Sequence, residues 1–151
     1  FQMTTAGQLK ETFNINFFSQ VLFTQKMIKI LNKKKSSIIF TSSTSGSDGN
    51  IGRTSYSASK AAINNLTKVL SKELGRLNIR VNAVEPGLTD TDMLKNNTEN
   101  KIIEKIKDNN ISLGRIAKPE EIANSILFLA SDLSSYISGQ VIRVDGGLYN
   151  Y

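Results

Sequence analysis

Two reactive side chains are missing altogether, since the 151 residues contain no cysteine and no histidine. Without thiols there are no disulfides and no thiolate metal ligands. Without imidazole there are no histidine metal sites, and serine-histidine and cysteine-histidine nucleophile systems are excluded together with the commonest general base. Long hydrophobic runs are also missing: no apolar stretch approaches the ~20 residues needed to span a bilayer, and there is no signal-peptide pattern. The glycines form neither G-x-x-x-x-G-K-S/T nor a strand-to-helix G-x-G-x-x-G, so no phosphate loop is present. Basic residues outnumber acidic ones, 19 to 13. Only Lys33, Lys34 and Lys35 cluster, however, between a helical pattern and a strand where a solvated turn is the default. No basic stripe or aromatic-basic interleaving accompanies them, so nucleic acid is not an expected partner. What remains is 39% hydrophobic and 21% charged, the composition of a globular chain of one domain at most.

The informative stretch is 38 to 60. Ile38, Ile39 and Phe40 are β-prone without polar alternation, which reads as a strand buried on both faces that ends at Ser42 and Ser43. Such strand ends are where open α/β sheets bind ligands. A glycine-punctuated loop follows, with Gly46, Gly49 and Gly52 expected to make it flexible. Tyr56 and Lys60 then open a helical pattern, and their spacing of four stacks them on one face. A free tyrosine titrates near 10 and is a poor base at neutral pH. A lysine charge at about 4 Å, with an effective dielectric near 20, supplies about 4 kcal/mol, enough to make the phenol useful. With the Ser43 hydroxyl to position the same oxygen, these side chains form a proton-transfer site for a carbonyl or an alcohol.

Tyr-x-x-x-Lys alone also describes an ordinary solvated helix face. Its position at a helix entrance, behind a buried strand ending in hydroxyls, is what sets it apart. Ser57-Ala58-Ser59-Lys60 also satisfies S-x-x-K, but the K-T-G and S-D-N elements of serine-lysine hydrolases are absent.

Around this stretch the chain reads as helix 8 to 31, strand from 38, helix 54 to 77, strand Ile79 to Val84, a polar segment 92 to 113 with Ile102, Ile103 and Ile106 as its apolar edge, helix Pro119 to Ala130, and strand Val141 to Val144. That order implies parallel strands with right-handed crossovers. The first helix is apolar on two sides: Phe13, Phe17, Val21, Ile28 and Leu31 make one stripe and Phe18 and Leu22 widen it, which suggests the sheet on one side and a subunit interface on the other. The second carries Ile63, Leu66, Leu70, Leu74 and Leu77, with Thr54 or Ser55 as a cap and Asn78 as a stop.

Ser43, Tyr56 thirteen positions on, and Lys60 four further resemble the serine, tyrosine and lysine of the short-chain dehydrogenase/reductase family. The strings RVNAVEPGLTDTDM (80 to 93) and GRIAKPEEIANSILFLASDLSSYISGQVIRVDGG (114 to 147) resemble that family too, especially its 3-oxoacyl-[acyl-carrier-protein] reductase branch. The resemblance implies an α/β, Rossmann-like doubly wound parallel sheet. It also implies a cytoplasmic, NAD(P)-dependent oxidoreductase of fatty acid biosynthesis, a homo-oligomer acting on a small or carrier-bound carbonyl substrate, with NADP favoured over NAD; sugar and secondary-alcohol dehydrogenases share the motifs. Tyr56 would give or take the proton, Lys60 assist it and hold the nicotinamide ribose, Ser43 position the oxygen, and Asn16 hold a relay water. Pro86, Gly87, Leu88, Thr89 and Thr91 would contact the nicotinamide end, with the bare backbone of Gly87 close to the ligand. Glu85 departs from the small neutral residue usual before Pro-Gly and adds a carboxylate near the site. Residues 92 to 113 would be the substrate lid. The family's cofactor-binding βαβ half, with its glycine turn, does not occur in the sequence. Residues 1 to 151 are therefore expected to be the C-terminal catalytic part of one reductase domain, with the strand from 38 at an open sheet edge; a non-catalytic reductase-like subunit is the alternative.

Overall fold

The computed structural model describes residues 1–31, 35–97 and 99–149. Lys33 and Lys34 of the basic triplet, and the Ile102 side chain, lie outside the described set. Three parallel strands form one sheet in the order β1 (Ser36–Thr41), β2 (Ile79–Pro86), β3 (Val141–Val144). Ser36 to Thr41 pair with Ile79 to Val84, and Ala83 to Pro86 with Val141 to Val144. Successive side chains of β2 point to opposite faces. Ile79, Val81 and Ala83 are buried with Phe40 and with Ile63 and Leu74 of α4 (Thr54–Leu74). Val84 is buried on the other face with Ile122 and Leu129 of α7 (Pro119–Ala130). Helices thus cover both faces of a parallel sheet, the Rossmann-like arrangement expected, and each fully buried Ile or Leu contributes about 1.5–3 kcal/mol.

The first helical pattern is two helices joined by a π turn: α1 (Ala6–Phe13), Asn14–Phe18 in π geometry, and α2 (Ser19–Ile28). Thr5 caps α1 by accepting the Gln8 N–H, and Gln8 returns a bond to the Thr5 N–H. In the π turn the Ser19 N–H reaches back five residues to the Asn14 carbonyl. The two-sided character is as read: Phe17, Ile28 and Leu31 pack against the core, whereas Phe18 and Leu22 are exposed.

Several details differ from the sequence reading. β1 is not buried on both faces: Phe40 is, but Ile38 and Ile39 are only half-buried because β1 is the sheet edge among the described residues. The loop after it contains a short helix, α3 (Thr44–Asp48). Arg53, not Thr54 or Ser55, stands at the cap of α4, where its side chain makes no capping hydrogen bond. Asn78 does stop that helix, through a Gly75–Leu77 3-10 turn and a left-handed φ of 62°. β2 runs on through Glu85 and Pro86, which pair with Arg143 and Val144. The polar segment folds as α5 (Asp92–Asn97) and α6 (Asn100–Asn110).

Two polar side chains of β2 deliver the last strand. Arg80 donates to Ser134 Oγ at 2.9 Å and to the Ser131 carbonyl, just beyond α7, at 3.1 Å. Asn82 donates to the Ile137 carbonyl and accepts the Gln140 N–H, at 2.9 and 3.0 Å. The turn between α7 and β3 is thereby fixed to the sheet, which is why buried polar groups are tolerated there.

Candidate active site

β1 and β2 end side by side, and the site is built on those ends. The Ser42 N–H continues the ladder to the Val84 carbonyl at 2.8 Å, and its hydroxyl donates to the Lys60 carbonyl at 3.1 Å. Ser43 is extended (φ −166°, ψ 151°) and caps α3, its Oγ accepting the Ser45 N–H at 3.2 Å. That bond uses an oxygen lone pair and leaves the hydroxyl proton for another acceptor. A five-residue helix has no stability of its own, so α3 is held by its neighbours. A Cβ on Gly46 would lie 2.8 Å from the Lys60 backbone carbon. Gly46 is therefore a contact residue that lets α3 touch α4, not a source of flexibility.

Tyr56 and Lys60 stack at the entrance of α4, with the Lys60 Nζ 5.7 Å from the phenol ring centroid. The ammonium donates to the Thr41 carbonyl at 2.9 Å, so it bridges helix and strand end. Burial pushes its pKa below the usual lysine value. Asn16 reaches the same turn from the other side: its Nδ2 donates to Ser59 Oγ at 3.1 Å, and Ser59 in turn donates to the Tyr56 carbonyl at 2.7 Å. Gln20 Nε2 donates to the Asn16 carbonyl at 2.6 Å. Asn16, Tyr56 and Lys60 thus share one helical turn, and Ser43 lies between Ser42 and Gly46, both of which meet Lys60. Ser59, which the sequence reading met only inside S-x-x-K, is fully buried and is the link between Asn16 and that turn. Ser57 Oγ is buried with no partner among the described residues, so Ser57 and Lys60 do not make a nucleophile-base pair.

The segment after β2 closes the site. Gly87 donates to the Val144 carbonyl at 3.0 Å and Asp90 to the Ala117 carbonyl at 2.9 Å, while among the described residues no partner takes the amides of Leu88 and Thr89. Gly87 is required by a different neighbour from the one expected: a Cβ there would stand 2.7 Å from the Cβ of Asp145, so its bare backbone first lets β2 pass the end of β3. Thr91 caps α5, its Oγ1 accepting the Leu94 N–H at 3.3 Å and donating to the Thr89 carbonyl at 3.4 Å. The Glu85 carboxyl group points toward α3 and α4, where it accepts from Ser47 Oγ at 2.7 Å and Asn64 Nδ2 at 2.6 Å. Residues 111 to 113 run from α6 to the chain end, where Leu113 and Ser112 donate to the Gly146 and Gly147 carbonyls.

Residues 1–149 match the family model described as enoyl-(acyl carrier protein) reductase. The chain belongs to the short-chain dehydrogenase/reductase family. Within it, the 3-oxoacyl-[acyl-carrier-protein] reductase FabG of Thermotoga maritima is 47% identical over 139 residues, 89% of this chain and 54% of that protein. Among solved structures, 7α-hydroxysteroid dehydrogenase complexed with NADH and 7-oxo glycochenodeoxycholic acid superposes with a TM-score of 0.92 at 32% identity, over 99% of this chain and 58% of that one. An NADPH-bound short-chain oxidoreductase from Pseudomonas aeruginosa PAO1 gives 0.88 at 30%, over 100% and 61%. The chain spans about half the length of the curated relatives it matches. As a family member it shares the parallel sheet of these oxidoreductases.

Proposed function

We propose that this chain forms the proton-transferring, C-terminal part of a single Rossmann-like reductase domain that reduces a 3-oxoacyl thioester. The observation that carries the reading is the Tyr56-Lys60 stack at the α4 entrance, beside Ser43 at the end of β1. Identity to acyl-carrier-protein reductases supports the substrate class, and an excess of basic residues suits an acidic carrier.

The donor set fits a nicotinamide cofactor, with NADP favoured over NAD. The amides of Leu88 and Thr89, which have no partner among the described residues, suit a carboxamide. The Lys60 ammonium suits a ribose hydroxyl, and Pro86, Gly87 and Thr91 shape the wall between them. When bound, the cofactor supplies the hydride that adds to the carbonyl carbon. Ser43 donates its free hydroxyl proton to the carbonyl oxygen and holds it in place. Tyr56 gives its phenolic proton to that oxygen as charge develops there, and Lys60 stabilises the phenol oxygen left behind. Asn16, tied to the same turn through Ser59, holds the water that returns the proton. Residues 92 to 113 act as the substrate lid, and the exposed apolar side of α1 and α2 pairs subunits in a cytoplasmic oligomer.

Assay of the protein expressed from its complete reading frame decides the matter. The expectation is faster oxidation of NADPH with acetoacetyl thioester than of either cofactor system with a sugar or secondary alcohol. A second reading, a secondary-alcohol dehydrogenase, is supported by the likeness to the 7α-hydroxysteroid enzyme. Alcohol oxidation without thioester reduction would make it the correct one.

A further inference from the structure

Glu85 is 1% exposed, yet it stands immediately before the Pro86-Gly87 turn at the end of the central strand. Neither of its hydrogen-bonding neighbours is a cation: Ser47 Oγ and Asn64 Nδ2 both donate to the same oxygen, Oε1. Asn64 is itself 8% exposed, and it continues the i, i+4 row of Tyr56 and Lys60 along α4. Ser47 lies in α3, whose first residue follows Ser43 directly. The carboxyl group therefore ties three pieces together: the end of β2, the α4 face behind the reacting pair, and the short helix capped by the Ser43 hydroxyl. Other ties also hold α3: the close approach of Gly46 to Lys60, a longer bond from Asn64 Nδ2 to Ser47 Oγ at 3.2 Å, and the paired bonds from Arg143 to Asp48 at 2.7 and 2.9 Å. The Asp48 tie is solvent-exposed, where ion pairs hold little. Among the described residues, the Glu85 tie combines a buried carboxyl group with short directional bonds to both helices.

The geometry points to Glu85 as a positioning residue, which through Ser47 and α3 fixes the Ser43 hydroxyl relative to Tyr56. The inference rests on the reductase reading for its kinetic consequence, but not for its structural one. Glu85→Ala removes the shared acceptor and leaves the buried Asn64 amide with only its 3.2 Å bond to Ser47 Oγ. Glu85→Gln keeps a carbonyl acceptor and the volume. Ser47→Ala removes the α3 tie alone, with the least risk to folding.

The test uses the protein from its complete reading frame. Glu85→Ala and Ser47→Ala are expected to lower kcat about tenfold and threefold, with cofactor Kd within twofold. Glu85→Gln is expected to stay within threefold of the parent. In a Ser43→Ala background, adding Glu85→Ala or Ser47→Ala is expected to change kcat by less than twofold, because the group they position is gone. Amide exchange gives a readout independent of activity. The Gly46 and Gly49 amides, bonded to the Ser43 and Ser45 carbonyls, are expected to exchange at least tenfold faster in Glu85→Ala and Ser47→Ala, and at the parental rate in Glu85→Gln. Equal rate losses with and without Ser43, or unchanged exchange in Ser47→Ala, overturn the proposal. If the parent reduces no carbonyl while the exchange pattern holds, the reductase reading fails and the fixing of α3 stands.

Discussion

Adding one methyl group at Gly46 tests whether the separation of α3 and α4 sets the rate. The Cβ of Gly46→Ala would meet the Lys60 carbonyl carbon at 2.8 Å, and the Ala61 nitrogen and Lys60 Cβ at 3.0 Å. Two of these three atoms are helix backbone, which cannot rotate away, so α3 must retreat by several tenths of an ångström. Overpacking of this kind costs about 1–3 kcal/mol, which lowers Tm by about 2–4 °C per kcal/mol in a protein of 150–250 residues. The rate is expected to fall further than stability, because α3 carries Ser43 and displacement of a reacting group by about 1 Å costs up to 10²-fold. Gly75→Ala is the control. No atom lies within 4 Å of a Cβ there, and φ is −57°, so alanine fits and is expected to raise stability by about 0.4–1 kcal/mol with an unchanged rate. Melting curves and steady-state kinetics on both variants of the complete protein measure the two effects separately. Gly46→Ala with parental kcat and Tm would refute the claim that close contact of α3 with α4 organises the site.

Tyr56→Phe is expected to lower turnover more than tenfold, at least ~1.4 kcal/mol of barrier, with cofactor Kd within twofold by fluorescence titration; retention of a tenth of the rate removes Tyr56 as the proton donor. Lys60→Ala is expected to weaken both rate and cofactor binding, and a purely kinetic effect would remove its ribose role. The Glu121 carboxyl, held to about 2 by its bonds from Arg115 and the Lys118 N–H, is lower in the folded state than unfolded. Its contribution to stability is therefore present above about 4.5 and is lost as pH falls toward about 2; in Arg115→Ala, NMR titration is expected to show the midpoint rising toward the ordinary glutamate range. Residues 1–151 expressed alone are expected to sediment as associated species without cofactor binding, and a monodisperse monomer with a sharp melt would contradict this.

Signals that act locally were legible. The helix read from Pro119 to Ala130 and the strand read from Val141 to Val144 have the observed ends of α7 and β3. The leucine stripe of α4 and the left-handed stop at Asn78 are equally short-range. What was not legible depends on partners far along the chain. The π turn at Asn14–Phe18 interrupts a hydrophobic pattern that reads as one continuous helix. Glu85 was read as a carboxylate near the site, but its donors at Ser47 and Asn64, 38 and 21 residues away, could not be read from its strand position. Gly46 looked like loop flexibility because nothing in a sequence reveals that the Lys60 backbone occupies the space of its missing side chain.

The open strand edge connects the fold to the completeness of the site. The accessible surface of 9908 Å² exceeds the roughly 7,600 Å² expected of a folded monomer of this mass, an excess of about 2,300 Å². Two apolar surfaces contribute to it: the outer side of α1 and α2, where Phe18, Leu22 and Phe23 are exposed, and the groove between α2 and β1, the sheet edge among the described residues. With somewhat over half of that excess apolar, at about 25 cal/mol per Å² the uncovered surface corresponds to about 30 kcal/mol of unrealised burial. That is larger than the whole 5–15 kcal/mol stability of an ordinary domain. β1 also carries no charged residue and no proline to block pairing along its edge. Ser43 lies two residues beyond that strand, next to Ser42, which among the described residues is bonded to β2 and α4. A segment paired along Ser36–Thr41 would fix β1 from the other side, so ordering of this edge and competence of the Ser43-Tyr56-Lys60 site are coupled through the same strand.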